Sequence, residues 1–176
     1  AKRYGLRVDR QVDERKSIYK STRAAARYFK DLYNIFGSWE LALCAYNAGE
    51  YRVIRAIRKG NTRDYRTLVK KRLLPKETIN YVPKVAAAKF LAAKSEFKVK
   101  KPRIAKTYEN AKELVLNRSF SIKSFAKASG IQRSTLKKFN PDIRWDWVKV
   151  RRKPFTAYVP EGLHNKALAY SKTRMS

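Results

Sequence analysis

Apolar residues recur at helical spacing through the first half of the chain. Ala25, Tyr28, Phe29, Leu32 and Phe36 stand three and four apart, on one face of a helix that Ser21-Thr22 can cap and Gly37 can end. Ser38 is placed to cap a second helix carrying Trp39, Leu43 and Tyr46, and Gly49 ends it. Val53, Ile54 and Ile57 mark a third, closed by Gly60-Asn61, and Asp64 starts a short fourth around Tyr65 and Leu68. A longer helical pattern runs from Lys76 to about Ser95. Pro83 interrupts it, and because proline removes a backbone donor and crowds the preceding turn, a kink or a restart near Tyr81 is expected.

The texture changes after the charged stretch FKVKKPR. Tyr108 to Leu116 fits a strand or a helix, since its period does not decide between them. SIKSFAKASG and QRSTLKKFN read as two short helices around Gly130-Ile131, with Ser121 and Ser134 as candidate caps. Their apolar positions are Ile122, Phe125, Ala126, Leu136 and Phe139. PFTAYVP (154–160) alternates between bounding prolines and reads as a strand. The pattern therefore predicts a mainly α protein: a helical domain at 1–97, a linker at 98–103, a small α+β segment at 104–164 and a tail at 165–176.

Composition narrows the class. Hydrophobic residues are 44% of the 176 and aromatics 12%, enough to bury a core. No apolar run approaches the roughly 18–20 residues that span a bilayer. One cysteine, Cys44, excludes an internal disulfide framework, and one histidine with scattered acids offers no metal site. No cofactor is indicated. The net charge is +29, spread over both halves: 25 basic against 9 acidic residues in 1–100, 18 against 5 in 101–176. Such a field draws a polyanion, whether nucleic acid, an anionic membrane surface or a wall polymer.

Three stretches bear more specific chemistry. Residues 3–50, RYGLRVDRQVDERKSIYKSTRAAARYFKDLYNIFGSWELALCAYNAGE, contain Ala45-Tyr46-Asn47-Ala48-Gly49, and LPKETINYVPK (74–84) contains Tyr81. In this order they resemble the lytic transglycosylases of bacterial cell-wall metabolism, of the membrane-bound murein transglycosylase D type, over about residues 1–95. The resemblance implies a lysozyme-like helical domain whose glycan cleft is lined by Tyr46, Asn47, Ala48, Gly49 and Tyr81, with Tyr81 facing the catalytic acid. It also implies cleavage of the MurNAc–GlcNAc β-1,4 bond, with an intramolecular sugar hydroxyl in place of water and a 1,6-anhydro product. Glycosidic cleavage requires a carboxylic acid to protonate the leaving oxygen. In the family that acid is a glutamate upstream of the YGLRVD stretch, so it is expected upstream of Ala1. Neither Glu50, which follows AYNAG, nor Glu77, which flanks the tyrosine segment, matches the position of the acid.

The second half resembles the same family through Leu136-Lys-Lys-Phe139-Asn140-Pro141 and Tyr158-Val159-Pro160-Glu161-Gly162, which implies a LysM-like strand–helix–helix–strand module. The expected partners are peptidoglycan strands, an N-terminal fragment carrying the glutamate, and an anionic envelope surface, with the protein in the bacterial periplasm or cell envelope and membrane association through a segment upstream of Ala1 left open. Two alternatives stand beside this reading. One is an inactive peptidoglycan-binding protein. The other treats residues 121–140, with Arg133, Lys137 and Lys138 on the second helix, as a helix-turn-helix. Nucleic acid is the disfavoured partner, because AYNAG and ETINYVPK have no role there. Trp145 and Trp147 could stack on sugars, although one core anchor and one partly exposed ring is the favoured arrangement. His164 is expected at the surface.

Overall fold

Helices dominate the computed structural model, which describes residues 1–94 and 108–172; the expected linker at 98–103 lies outside the described residues. The mainly α class holds, with eight α-helices and two small sheets among the described residues. Five helices lie in the first half: α1 (Ile18–Phe36), α2 (Trp39–Ala48), α3 (Glu50–Gly60), α4 (Tyr65–Lys70) and α5 (Lys76–Ala93). Then follow β1 (Ala111–Leu116), β2 (Phe120–Ser121), α6 (Ile122–Ser129), α7 (Arg133–Phe139), β3 (Trp147–Val148), β4 (Phe155–Pro160) and α8 (His164–Lys172). The chain divides into two compact units, Ala25–Lys100 and a second made of Ala1–Ala24 with Lys101–Ser176.

In the unit of residues 25–100 the helix boundaries follow the punctuation of the sequence. Ser38 accepts the Leu41 N–H at the start of α2, and Asp64 accepts the Thr67 N–H at 2.7 Å at the start of α4. Asn61, in left-handed conformation, closes α3. The core joins Leu32 and Phe36 of α1, Leu41, Cys44 and Ala45 of α2, Val53 of α3, Leu68 of α4 and Val82 of α5. Each large side chain so buried contributes about 1.5–3 kcal/mol relative to exposure. Gly60 lets α3 end against α4: a Cβ there would stand 2.8 Å from Leu68 and 2.9 Å from Leu73.

One expectation for these helices is corrected and another is narrowed. Helix α1 begins at Ile18, so Ser21 is not its cap; the Ser21 N–H and hydroxyl both donate to the Ser17 carbonyl, at 2.9 and 2.7 Å, within a turn already formed. Helix α5 runs through Pro83 without a restart. The missing Pro83 N–H would have bonded the Ile79 carbonyl, and the Tyr65 hydroxyl donates to that oxygen instead, at 3.3 Å.

The other unit is a strand–helix–helix–strand frame. Strands β1 and β4 pair antiparallel from Ala111↔Pro160 to Leu116↔Phe155, and β2 pairs with β3. Ser121 caps α6 by accepting the Ser124 N–H, and Gly130 ends it in left-handed conformation. Ser134 caps nothing: α7 starts at Arg133, and Gln132 takes the cap position without a side-chain bond. Leu114, Leu116, Ile122, Phe125, Leu136 and Phe155 form the core. Asn140 behaves as an extra backbone group, donating to the Tyr158 carbonyl and accepting the Tyr158 N–H, both at 2.7 Å, and donating to Leu136 at 2.8 Å. The expected tail at 165–176 is helix α8 as far as Lys172; Ala167 is fully buried and Tyr170 stacks on Phe125 at 4.8 Å.

Residues 1–24 belong to this second unit, whereas the sequence reading placed them with the helical domain. Val12 is fully buried in its core and bridges Ile143, and the Asp13 N–H donates to the Asp142 carbonyl at 2.8 Å. A buried ion pair adds to this. The Lys20 ammonium lies 2.7 Å from Asp142 Oδ2 and 3.0 Å from Glu14 Oε1, with the Phe155 ring 4.0 Å away. Asp142 is fully buried and its Oδ1 has no hydrogen-bond partner among the described residues. Burial raises the Asp142 pKa, while the Lys20 charge pulls it back.

Candidate functional site

The sequence motif Ala45–Gly49 occupies the end of α2 and the joint with α3. An apolar helix has little reason to carry an amide, and Asn47 is the exception: its Oδ1 accepts the hydroxyl of Thr78, from α5, at 2.8 Å. Thr78 is itself buried, at 1% exposure, so its hydroxyl must find a partner within the fold. The Asn47 amide group then faces the Glu77 carboxylate, donating from Nδ2 to Oε1 at 3.5 Å. One residue of α2 and two of α5 thus hold each other in register. The amide orientation follows from the hydroxyl, because the oxygen that accepts from Thr78 cannot also point outward.

Tyr46 lies beside Asn47 with 40% of its surface exposed. Its ring stacks on Phe29 of α1 at 4.2 Å and 19°, and tilts against Tyr28 at 5.7 Å. Tyr81 is half-buried on α5, three residues beyond Thr78, and its hydroxyl pKa is raised, first by burial and then by the neighbouring Tyr46 hydroxyl. The Tyr81 hydroxyl thus lies within electrostatic reach of Tyr46. Gly49 has φ 91° and ψ 146°, a conformation that side-chain-bearing residues avoid. Its N–H still closes α2 on the Ala45 carbonyl at 2.8 Å. Nothing lies within 4 Å of the position a Cβ would take, so glycine is required there by the backbone turn and not by crowding. Ala48 completes the segment, half-buried.

The five residues singled out by sequence thus lie on α2, its end and α5, with Asn47, Thr78 and Glu77 directly linked. What sequence reading missed is the support: Phe29 as the stacking partner of Tyr46, and Thr78 as the clamp on Asn47. Phe29 carried a signal as one of the apolar positions of α1. Thr78 carried one only in standing three residues before Tyr81, one helical turn away.

Several carboxylates of this unit are committed elsewhere. Glu40 is held below its ordinary range by the Ser38 hydroxyl, and Asp64 by its cap bonds to Thr67. Glu77 is exposed, and Glu50 opens α3. Cys44 is fully buried, its thiol pushed up to about 12 by burial and by Glu40, which makes it a packing residue without thiolate chemistry. No group of His, Cys, Asp and Glu that could hold a metal occurs among the described residues. In the other unit Trp145 and Trp147 are both about half exposed, so neither is the core anchor that was expected. His164 opens α8 with its Nε2 3.1 Å from the Glu113 carbonyl oxygen.

Comparison with known proteins bears on the same residues. The family model described as transglycosylase SLT domain matches residues 1–69, which include Tyr46–Gly49 and stop short of Tyr81. The membrane-bound lytic murein transglycosylase D of Escherichia coli K12 is 34% identical over 143 residues, covering 80% of this chain. Its counterpart from Escherichia coli O6:H1 gives the same figures. The chain spans 31% of the length of these curated relatives.

Proposed function

Residues 1–69 belong to the transglycosylase SLT domain family, and from that premise we propose that this chain is the glycan-binding part of a lytic murein transglycosylase. In this reading Tyr46, Asn47, Ala48, Gly49 and Tyr81 line the cleft. The parent protein cleaves the MurNAc–GlcNAc β-1,4 bond of peptidoglycan in the cell envelope, leaving a 1,6-anhydro end. The observation that carries it is the clamp of Thr78 on Asn47, which stands next to Tyr46 on α2 and opposite the helix that carries Tyr81. A fixed amide supplies a donor for acetamido or hydroxyl groups, aromatic faces supply walls for sugar rings, and the small Ala48-Gly49 pair keeps the floor open.

The general acid is a glutamate outside these 176 residues. A general acid for this reaction needs a carboxyl kept protonated near neutral pH by a desolvated setting. Glu40 and Asp64 are held ionised by their hydrogen bonds, and Glu77 is exposed and engaged with Asn47. Tyr81 assists by facing that acid across the cleft, and an N-terminal fragment carrying the glutamate is the partner that completes the site. Residues 108–172, with their β1–α6–α7–β4 frame, act as the LysM-like companion. The helix pair α6–α7 shares its core with β1 and β4, which favours this frame over a helix-turn-helix that reads DNA.

Purified cell walls test both halves of the reading. The chain alone is expected to bind the walls and leave the turbidity of their suspension unchanged, while the longer parent clears it and releases anhydro-ended fragments. Asn47→Ala should weaken wall binding about tenfold, the cost of one hydrogen bond lost to the glycan. Clearing by this chain alone would place the acid within it. Equal binding by Asn47→Ala would remove the cleft.

A further inference from the structure

The cleft leaves the +29 charge without a task. In the unit of residues 1–24 and 101–176, two segments bring part of that charge together. The Val12↔Ile143 bridge and the Arg144 N–H bond to the Gln11 carbonyl, at 2.9 Å, lay residues 7–12 along residues 143–149. Arg7 continues the attachment, donating from its guanidinium to the Lys149 carbonyl at 2.9 Å and to Asp9 at 2.7 Å. Beside it opens a depression of about 620 Å³ lined by Arg7, Asp9, Arg151, Arg152 and Lys153. Asp9 is already committed to Arg7, and its pKa is held below the ordinary carboxylate range. Arg151, Arg152 and Lys153 are exposed and have no carboxylate partner among the described residues. Three adjacent cations around a preformed depression make a seat for a phosphate group.

The neighbouring aromatics say which phosphate. Trp145 and Trp147 are 50% and 48% exposed on the same stretch of chain, and the Arg10 guanidinium lies 4.4 Å from the Trp145 ring centroid. Single-stranded nucleic acid stacks its bases on open ring faces, and Arg10 occupies one face of Trp145. Half-exposed indoles among basic side chains instead match the headgroup layer of a bilayer, where the ring sits in the interface and the cations meet anionic lipid. No helix of the described residues is long and apolar enough to cross a membrane. We propose that this face docks on an anionic phospholipid surface, a lipid phosphate seated among Arg7, Arg151, Arg152 and Lys153 and the two tryptophans at headgroup level. The inference does not depend on the glycan cleft, which lies in the other unit.

Co-sedimentation of the full chain with vesicles tests it. Vesicles of phosphatidylcholine with about one-third phosphatidylglycerol should bind the chain at near-physiological salt, and pure phosphatidylcholine should not. R151Q/R152Q/K153Q, checked for folding by circular dichroism, should bind about a hundredfold more weakly. Removing the same charge from α3 in R55Q/R58Q/K59Q should change binding by less than about threefold, because charge alone is not the determinant. Free glycerol phosphate at millimolar concentration should compete on the unaltered chain, which needs no variant to fold. The proposal fails if both triple variants lose binding equally, or if R151Q/R152Q/K153Q binds as the unaltered chain does. It also fails if that variant loses affinity for a labelled single-stranded oligonucleotide while keeping its vesicle binding, which would make the surface a nucleic-acid one.

Discussion

Residues 25–100 close around side chains that are apolar in any reading of the sequence, Leu32, Leu41, Val53 and Leu68 among them. The unit of residues 1–24 and 101–176 closes around such residues too, but also around Lys20, Asp142 and Asn140, and it draws its pieces from opposite ends of the chain. In the first unit the polar exceptions, Asn47 and Thr78, meet at the surface of the candidate cleft. In the second they are structural: Lys20 joins the N-terminal segment to the turn after α7 through Asp142, and Asn140 joins that turn to β4. On the proposed function, a buried polar group serves the cleft in one unit and assembly in the other. What separates the cases is whether the partner still has an outward-facing group to offer a ligand.

Lys20→Met gives the sharpest break of that contrast. It leaves the Asp142 carboxylate fully buried without its cation, and breaking a buried pair from one side costs about 3–5 kcal/mol. The sign of the pH dependence follows from Asp142, whose folded pKa lies above its unfolded value because of burial. The protonated group carries no penalty, so the variant's deficit should be smallest below the unfolded value near 4 and should grow as the pH rises through the folded one. Urea denaturation of both proteins from pH 4 to 7, followed through Trp145 and Trp147 in a Trp39→Phe background, checks it. A deficit independent of pH would mean that Lys20 acts by packing on Phe155 and not by charge.

Asn140→Ala comes next, at about 3 kcal/mol, since three backbone partners on α7 and β4 lose a buried bond each. The same denaturation measurement reads it. A cost below 1 kcal/mol would show that the strand–helix–helix–strand frame is held by its apolar core alone, which would make the two units alike.

The same difference explains what could be seen in advance. Helices α2, α3 and α4 were legible because period and punctuation coincide: Ser38, Asp64 and Asn61 stand where caps belong, and the partners of each apolar face come from nearby helices. The residues of the proposed cleft stand out through motif order, not through period. Placing residues 1–24 in the second unit was not legible, because Val12 carries no periodic signal and its partner Ile143 stands far along the chain. Likewise Lys20–Asp142 joins residues that look, in sequence, like two more solvated charges. Helix α8 reads as a tail in sequence because its apolar side is one buried alanine and a few half-buried residues, too weak a stripe to stand out. Long-range polar pairing leaves no local pattern to read.

Gly49→Ala sharpens the cleft side of the comparison. The φ of 91° and ψ of 146° cost a side-chain-bearing residue about 1–3 kcal/mol, and the open space around the position means that no clash adds to it. The stability loss should appear in thermal denaturation, together with weaker wall binding, because the α2–α3 joint orients Asn47 and Tyr46. A loss of stability with unaltered wall binding would separate the turn from the cleft.

Tyr65→Phe carries the smallest expected effect and asks the narrowest question. Helix α5 passes through Pro83 with the Ile79 carbonyl deprived of its helical donor, and the Tyr65 hydroxyl supplies one from α4 at 3.3 Å. Burial raises the Tyr65 pKa, consistent with a hydroxyl that stays neutral and donating across the physiological range. Removing it should cost about 1 kcal/mol, read as a shift of a few degrees in Tm. Pro83→Ala restores the helical N–H, so in that background Tyr65→Phe should cost measurably less, and the difference between the two costs is the coupling. Equal costs in both backgrounds would mean that the hydroxyl contributes through packing alone. The continuity of α5, which holds Glu77, Thr78 and Tyr81 on one element opposite Asn47, would then need a cause other than this bond.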